Sequence, residues 1–598
     1  MKTYKYILPI LCAGAVVSSC DDMFEPANEM ISDIEVMYND PQFAAGMLGN
    51  AYILMPYDGT PHSDLATDDA VSNENSNQYT QMAQGAWSAA KDPMQQWQAR
   101  NNAINYCNIM LENAEKVTWS GIPAVNQMFI DHMMGDAYGM RAIQRFYLLR
   151  AHAGKVNGEL TGVILFDEYQ TGSTDFEKAM ERLPFKECVD RILEDIDKAL
   201  ELLPEDYADI ANAGQIPAKY QAIGADMSGY NRAFGAHHHG KVSGQILKAV
   251  RAQMLLFAAS PAYGAVTWDE AAKAAAEVIG NKEVVPNGHT WYKNVNEIED
   301  VKRTQNTPEA IWMTNPGNSN SLESDNFPPS IYGKGRTNPT QNLVDAFPMA
   351  DGKPITAAGS GYDPQNPYAN RDPRLAEYIV LNGSTMGVHD AKILSGIYED
   401  DPTTDGFRED NDDNLGKQLE YSTRTGYYMR KLLRNDVNMD PKTTTQQKHY
   451  TARIRWTEIF LAYAEAANEA YGPTQGAPGC SLTPKSVIKA IRERAGICKG
   501  TTDSYLEECA QSKDKMRELI RNERRLELCF ENQRFYDLRR WNLNLNETTQ
   551  GMRIEDNGKS FTKFDVDFRR YDDYMIYGPI PDSEVKKFSS LKQNDGWR

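Results

Sequence analysis

Apolar residues recur three and four positions apart through most of the chain, the period of a helix with one buried face. The stretch 92–117 carries Trp97, Ile104, Cys107 and Leu111 on such a stripe. Residues 129–154 repeat the pattern and stop at a glycine, and 183–205 runs from one proline to another. SGQILKAVRAQMLLFAASPAYG (243–264) and TWDEAAKAAAEVIGN (267–281) are separated by a short Pro/Gly turn, so they are expected to lie antiparallel. Thr267 and Glu270 have the spacing of a capping box, in which each side chain satisfies an amide at the helix start. A second pair covers 453–472 and 483–496. Its first member places Trp456, Phe460, Tyr463 and Tyr471 on one stripe with Ala464 and Ala467, small residues that let a neighbour approach. Its second has Pro484 in the first turn and Gly496 past the end. Large and small stripes on successive pairs suggest a tetratricopeptide-like stack, although the strict repeat of about 34 residues is not visible.

Polar stretches rich in Gly, Asn and Pro interrupt the helices at 56–91, 206–242, 282–345 and 350–450. Loops of this length in a compact protein usually carry function. The expected fold is therefore mainly α, a superhelix of helix pairs with a large irregular loop-rich region. DDPTTDGFREDNDDN (400–414) is the most acidic loop, but it lacks the ligand order and terminal Glu of a calcium loop and reads as solvated.

Net charge is −20, which argues against a non-specific nucleic-acid binder, because that requires a Lys/Arg excess. Residues 1–19 read as a leader: Lys2 and Lys5, then ILPILCAGAVV (7–17), an apolar run too short to span a bilayer. VSSC (17–20) resembles a bacterial lipobox, in which Cys20 is acylated and becomes the mature N-terminus; a soluble secretory signal cut nearby is the alternative. Six cysteines follow Cys20 without CxxC spacing, so no metal or redox motif is expected. Cys107, Cys188 and Cys529 read as small apolar fillers, while a Cys480–Cys498 or Cys498–Cys509 disulfide is open in an oxidising compartment.

Several segments, taken in order, resemble the SusD/RagB family of outer-membrane nutrient-binding lipoproteins. They are the lipobox, ILKAVRAQMLLFAASPAYG, NPTQNLVDAFPMADGKPI (338–355) and NPYANRDPRL (366–375). RWTEIFLAYAEAANEA, IRERAG, IRNERRLELCFENQRFYDLRRW and the tail MIYGPIPDSEVKKFSSLKQNDGW (575–597) complete the series. The resemblance implies an N-terminal region over 20–230 and a C-terminal region over 231–598, joined in one body. It also implies a cell-surface protein, anchored to the outer membrane through Cys20, that binds glycan fragments. Such proteins pass their ligand to a SusC-like TonB-dependent transporter. Asp21 and Asp22 resemble the acidic signal that sends such lipoproteins outward. A peptide binder of the RagB kind is the alternative, and a surface glycosidase a more distant one.

Where the ligand sits is a separate question. RNERRLELCFENQRFYDLRRW (521–541) is dense in charge. With 516–534 on one helix, Glu523, Glu527 and Arg534 fall on the apolar stripe of Met516, Leu519, Ile520, Leu526 and Phe530, while Arg521 and Arg525 point away. Buried carboxylates require partners, which Arg534 and Arg453, Arg455, Arg492 or Arg494 can supply, so the segment reads as scaffold. In RDPR (371–374), Asp372 reads as an N-cap and Pro373 as the first helical residue. HHH (237–239) lacks the helical spacing of a zinc site and reads as a flexible approach to the next helix. Sugar binding requires exposed aromatic faces with hydrogen-bonding groups nearby. Tyr79 and Trp87, in the first long loop, meet that description. So do Tyr332 with Arg336 and Asn338, and Trp291. Trp97 and Trp312 sit in regular patterns and read as core. No enzyme motif is present, and neither cofactor nor metal is expected.

Overall fold

A computed structural model of the chain describes residues 34–56, 60–171, 175–284, 306–396, 413–417 and 420–598. The leader with Cys20, Trp291 and most of the acidic loop 400–414 lie outside the described residues. The body is mainly α, and its helices pack in antiparallel pairs. The long helix Pro123–His152 receives Trp97–Asn113 on one side and Phe185–Leu202 on another. Close approach there depends on glycine. A Cβ on Gly135 would lie 2.7 Å from Leu203, and one on Gly139 would lie 2.6 Å from Val242. Gly244–Ala259 pairs with Trp268–Ile279, and both meet Trp456–Tyr471. Ala271, Ala272, Ala464 and Ala467 are fully buried, the small stripe that the spacing implied.

The expected caps are present. The Thr267 hydroxyl accepts the Glu270 amide at 3.2 Å, and Glu270 accepts the Thr267 amide at 2.7 Å. Pro484 opens Pro484–Ala495, and Gly496 closes it at φ 87°, a left-handed conformation that favours glycine. Strands are short and pair in twos. Ala70–Ser72 runs antiparallel to Thr337–Pro339, and Ala310–Met313 runs antiparallel to Ala452–Arg455 with a bulge. Thr549–Glu555 and Ser560–Asp567 form a hairpin. The first two ribbons join sequence-distant parts of the chain, and the second borders the candidate site.

The segment expected as a single helix over 516–534 is broken. Lys513–Glu527 ends, a turn follows, and Arg534–Arg540 begins again. Phe530 (φ 64°) and Asn532 (φ 59°) both adopt left-handed backbone in that turn. Asn tolerates this conformation, but a bulky aromatic does not without compensation. The compensation comes from far away: the Asp64 carboxylate accepts the amides of Phe530 (3.2 Å) and Asn532 (2.9 Å). The Phe530 ring is fully buried in a second apolar cluster with Leu343, Phe347 and Tyr378. Asn532 in turn accepts the Ser63 amide and donates to the Thr60 carbonyl, both at 2.8 Å.

Glu523 and Glu527 do face inward and are paired. Arg374 reaches both at 2.9 Å, Arg492 meets Glu523 at 2.8 Å, and Arg494 meets Glu527 at 2.9 Å. Burial opposes the Glu527 charge, but Arg494, Arg374, Arg455 and Lys431 hold its pKa down to about 2. The break in the helix changes the rest of the assignment. Arg534 pairs with Asp68 at 2.9 Å rather than with these carboxylates, and Arg525 turns inward to Asp68 and Asp69. The RDPR reading is corrected: the helix begins at Arg374 with Pro373 rather than Asp372 as its N-cap, and Asp372 instead accepts the Arg374 amide at 2.9 Å and its guanidinium at 2.7 Å. The six cysteines Cys107, Cys188, Cys480, Cys498, Cys509 and Cys529 are all free thiols, so neither of the two pairings left open by the sequence is formed.

Candidate ligand-binding cleft

The turn 528–533 faces the end of the helix Pro41–Ile53, the segment after it, and the strand Ala452–Arg455. Two connected hollows result. The wider is a chamber of about 260 Å³ walled by Met55, Pro56, His62, Tyr79, Met94, Gln96, Asn532 and Tyr536. The narrower, about 70 Å³, lies between Tyr147, Arg150, Tyr450, Arg453, Arg455, Glu458 and the turn residues Phe530 to Gln533. Asn532 belongs to both.

The chamber carries a stacked aromatic pair. The His62 and Tyr79 rings lie 5.3 Å apart with planes 10° from parallel, and both residues are half-buried. Tyr79 is held from below, its hydroxyl donating to the Pro93 carbonyl at 3.0 Å. Gln96 is positioned by its backbone, which donates to His152 Nε2 at 2.9 Å; His152 Nδ1 donates to the Pro579 carbonyl at 2.6 Å. That pattern requires the neutral imidazole, and burial pushes the His152 pKa down to about 4. The closing motif thus acts on the chamber wall: Pro579 fixes His152, and His152 fixes Gln96.

Charge in the narrow pocket is mostly spent internally. Glu531 accepts from Arg455 at 2.7 Å and from Lys431 at 2.6 Å, and Arg455 also meets Glu309 at 2.7 Å. Glu458 accepts from Gln253 at 2.7 Å, and burial raises its pKa. The Arg150 guanidinium lies 4.1 Å from the centre of the Tyr536 ring, a cation–π contact.

Of the residues singled out from sequence, Tyr79 lines the cleft. Trp87 does not, and its assignment as a ligand platform is corrected. It is 4% exposed, its indole donates to Asp92 at 2.8 Å, and Phe535, Tyr571 and Trp597 pack edge-on around it. A ring so enclosed has no face for a sugar. Asn338 is fully buried and structural, donating to the Gly335 carbonyl at 2.8 Å and accepting the Arg424 amide at 3.0 Å. Tyr332 and Arg336 are half-buried and line neither hollow; Tyr332 has left-handed backbone (φ 67°), and Arg336 donates to the Glu420 carbonyl at 2.8 Å. Trp97 and Trp312 are core. The sequence reading missed His62, Gln96, Arg453, Asn532 and Tyr536. Asn532 was concealed by treating its segment as continuous helix, and the stretch set aside as scaffold supplies the cleft with Phe530, Glu531, Asn532 and Gln533.

The histidine run forms a short 3-10 turn, with His238 4.5 Å from the buried His132 ring. Among the described residues no group of three His, Cys, Asp or Glu side chains is arranged to hold a metal ion. No described helix is long and apolar enough to cross a membrane.

The fold and cleft together define a helical-repeat body with a hollow that carries a stacked aromatic pair on its wall. The chain belongs to the SusD family: residues 293–597 match the model of the SusD family. Residues 29–222 match a model described as starch-binding, associating with the outer membrane. A SusD-like protein from Bacteroides fragilis superposes with a TM-score of 0.71 at 24% identity, over 96% of this chain and 100% of that one. A SusD-like carbohydrate-binding protein from the same species gives 0.65 at 20% identity, over 93% and 100%. Both likenesses are of fold. SusD-like protein P2 of Formosa agariphila is 30% identical over 142 residues, 24% of this chain and 25% of that protein's length. The chain thus aligns with only a quarter of that curated relative.

Proposed function

We propose that the protein is a surface glycan-binding lipoprotein that takes an oligosaccharide or polysaccharide segment into the His62/Tyr79 chamber. From there the ligand passes to a SusC-like TonB-dependent transporter. The observation that carries this reading is the half-exposed stacked pair beside the side chains of Gln96 and Asn532. An aromatic face takes the C–H face of a pyranose, and amides take its hydroxyls. Solved relatives described as carbohydrate-binding support the ligand class. Cys20, as the acylated residue, would keep the body at the outer membrane.

Binding rather than hydrolysis is the reading the charges support. Glycoside cleavage requires one carboxyl to donate a proton and another to attack or activate water. Of the two carboxylates lining the narrow pocket, Glu531 is neutralised by two cations and Glu458 is engaged by an amide. Electrophoresis through gels containing individual polysaccharides tests the proposal, with a reducing-end assay and an oligopeptide panel beside it. Retardation that His62→Ala and Tyr79→Ala each weaken supports it. New reducing ends would indicate a glycosidase, and binding of oligopeptides alone would indicate the RagB-type alternative.

A further inference from the structure

We infer that the cleft selects acidic glycans, with Arg453 as the residue that receives the carboxylate or sulfate group of the bound sugar. The inference rests on the proposal that the chamber holds a glycan, and it specifies which kind.

Arg453 stands where the two hollows meet. It lines the narrow pocket, and its Nη1 donates at 3.2 Å to the carbonyl of Pro56, which lines the wide chamber. Its guanidinium lies 5.2 Å from the centre of the buried Trp312 ring, which fixes its orientation. That single hydrogen bond is its share of the local polar network. Among the described residues, no carboxylate forms an ion pair with Arg453, and its remaining N–H groups make no hydrogen bond. A planar guanidinium with donors unspent is the group that best matches a carboxylate or sulfate.

The cation behind it is in the same position. Arg100 is buried, and its hydrogen bonds go to the neutral side chain of Gln144 and the carbonyl of Leu54. Burial lowers the pKa of both arginines, and the Arg453 charge lowers that of Arg100 further, to about 10. Arg374, Arg492 and Arg540 are buried and matched to carboxylates, whereas Arg182 and Arg371 are held by several backbone carbonyls each; Arg453 has one such carbonyl and no carboxylate. A pair of cations without a carboxylate, of which Arg453 lines the narrow pocket, is stabilised when a ligand brings an anion. The dimensions agree: a sugar ring suits the wider chamber beside Tyr79, and its smaller acidic substituent suits the narrower pocket at Arg453. The chain's overall negative charge would repel such a ligand at a distance, so the preference must come from this local pair.

The test uses the folded protein and matched ligands. Uronate polysaccharides (polygalacturonate, alginate) are titrated beside their carboxyl-reduced forms. Sulfated ones (carrageenan, chondroitin sulfate) are titrated beside their desulfated forms. The acidic member is expected to bind about tenfold to a hundredfold more tightly, as a charge-assisted bidentate contact implies. That advantage should shrink when NaCl rises from about 50 mM to about 500 mM, a measurement that requires no variant. Arg453→Gln should erase the difference between the two members, and Arg453→Lys should restore part of it, with melting curves showing that both variants fold. Preference in the uronate or the sulfate arm identifies the acid. Equal binding of acidic and neutralised members, or a difference that survives Arg453→Gln, overturns the inference while leaving the glycan reading intact. Binding of oligopeptides with no glycan bound overturns both.

Discussion

Replacing Arg374 by Met tests whether the charge-dense family segment is scaffold. Arg374 is fully buried and holds three carboxylates at once, those of Asp372, Glu523 and Glu527. Without it Glu523 keeps Arg492 and Glu527 keeps Arg494, but Asp372 loses its one side-chain cation. A buried charge stripped of its partner costs about 3–5 kcal/mol. Unfolding entropy of about 2.1 cal/mol/K per residue gives about 1.3 kcal/mol/K for the 598-residue chain, so the melting midpoint should fall by about 2–4 °C. Burial already raises the Asp372 pKa against the pull of Arg374. In Arg374→Met that pull is gone, so protonation relieves the orphaned charge and the penalty should diminish as pH falls from 7 towards 5. Adding Asp372→Asn should recover much of the loss at neutral pH. Scanning calorimetry of the three proteins at both pH values measures each quantity. A midpoint unchanged within about 1 °C, or a penalty that grows in acid, would refute the account of this cluster.

Trp87→Ala should act on stability rather than on ligand, costing about 3–5 kcal/mol because it empties a site enclosed by three aromatic rings; a well-folded variant with weakened binding would contradict its burial. His152 supplies a pH dependence. Its folded pKa of about 4 lies below the ordinary imidazole value of about 6.5, so its neutral form is favoured on folding. Stability from this group is intact above about pH 6.5 and falls by about 3 kcal/mol as pH drops to about 4. His152→Gln should lack that component, as the difference between the two denaturation profiles will show.

Much of the helical body was legible because the information is local. The capping box at Thr267, the Pro484 start and Gly496 stop, and the alanine stripe of Trp456–Tyr471 depend on residues a few positions apart. The inward turn of Glu523 and Glu527 follows from period alone. What the pattern could not supply was long-range. The break at Phe530 and Asn532 is stabilised by Asp64, more than 460 positions earlier, and the one local signal in FENQ, an asparagine that tolerates left-handed backbone, is too weak to announce it. Arg374 as the central cation was concealed because RDPR already had a sufficient local explanation. Trp87 looked like a loop aromatic because its packing partners lie in the last seventy residues. The cleft combined these failures, since its walls come from widely separated parts of the chain.

The central claim is that the His62/Tyr79 chamber binds glycan. Calorimetric titration of the polysaccharide that most retards the wild-type protein, repeated with Tyr79→Ala and His62→Ala, tests it directly. Each substitution should weaken binding by about twofold to tenfold, since an aromatic stacking contact is worth about 0.5–1.5 kcal/mol, with melting curves showing that both variants fold. Wild-type affinity in both variants would place the ligand elsewhere and contradict the account.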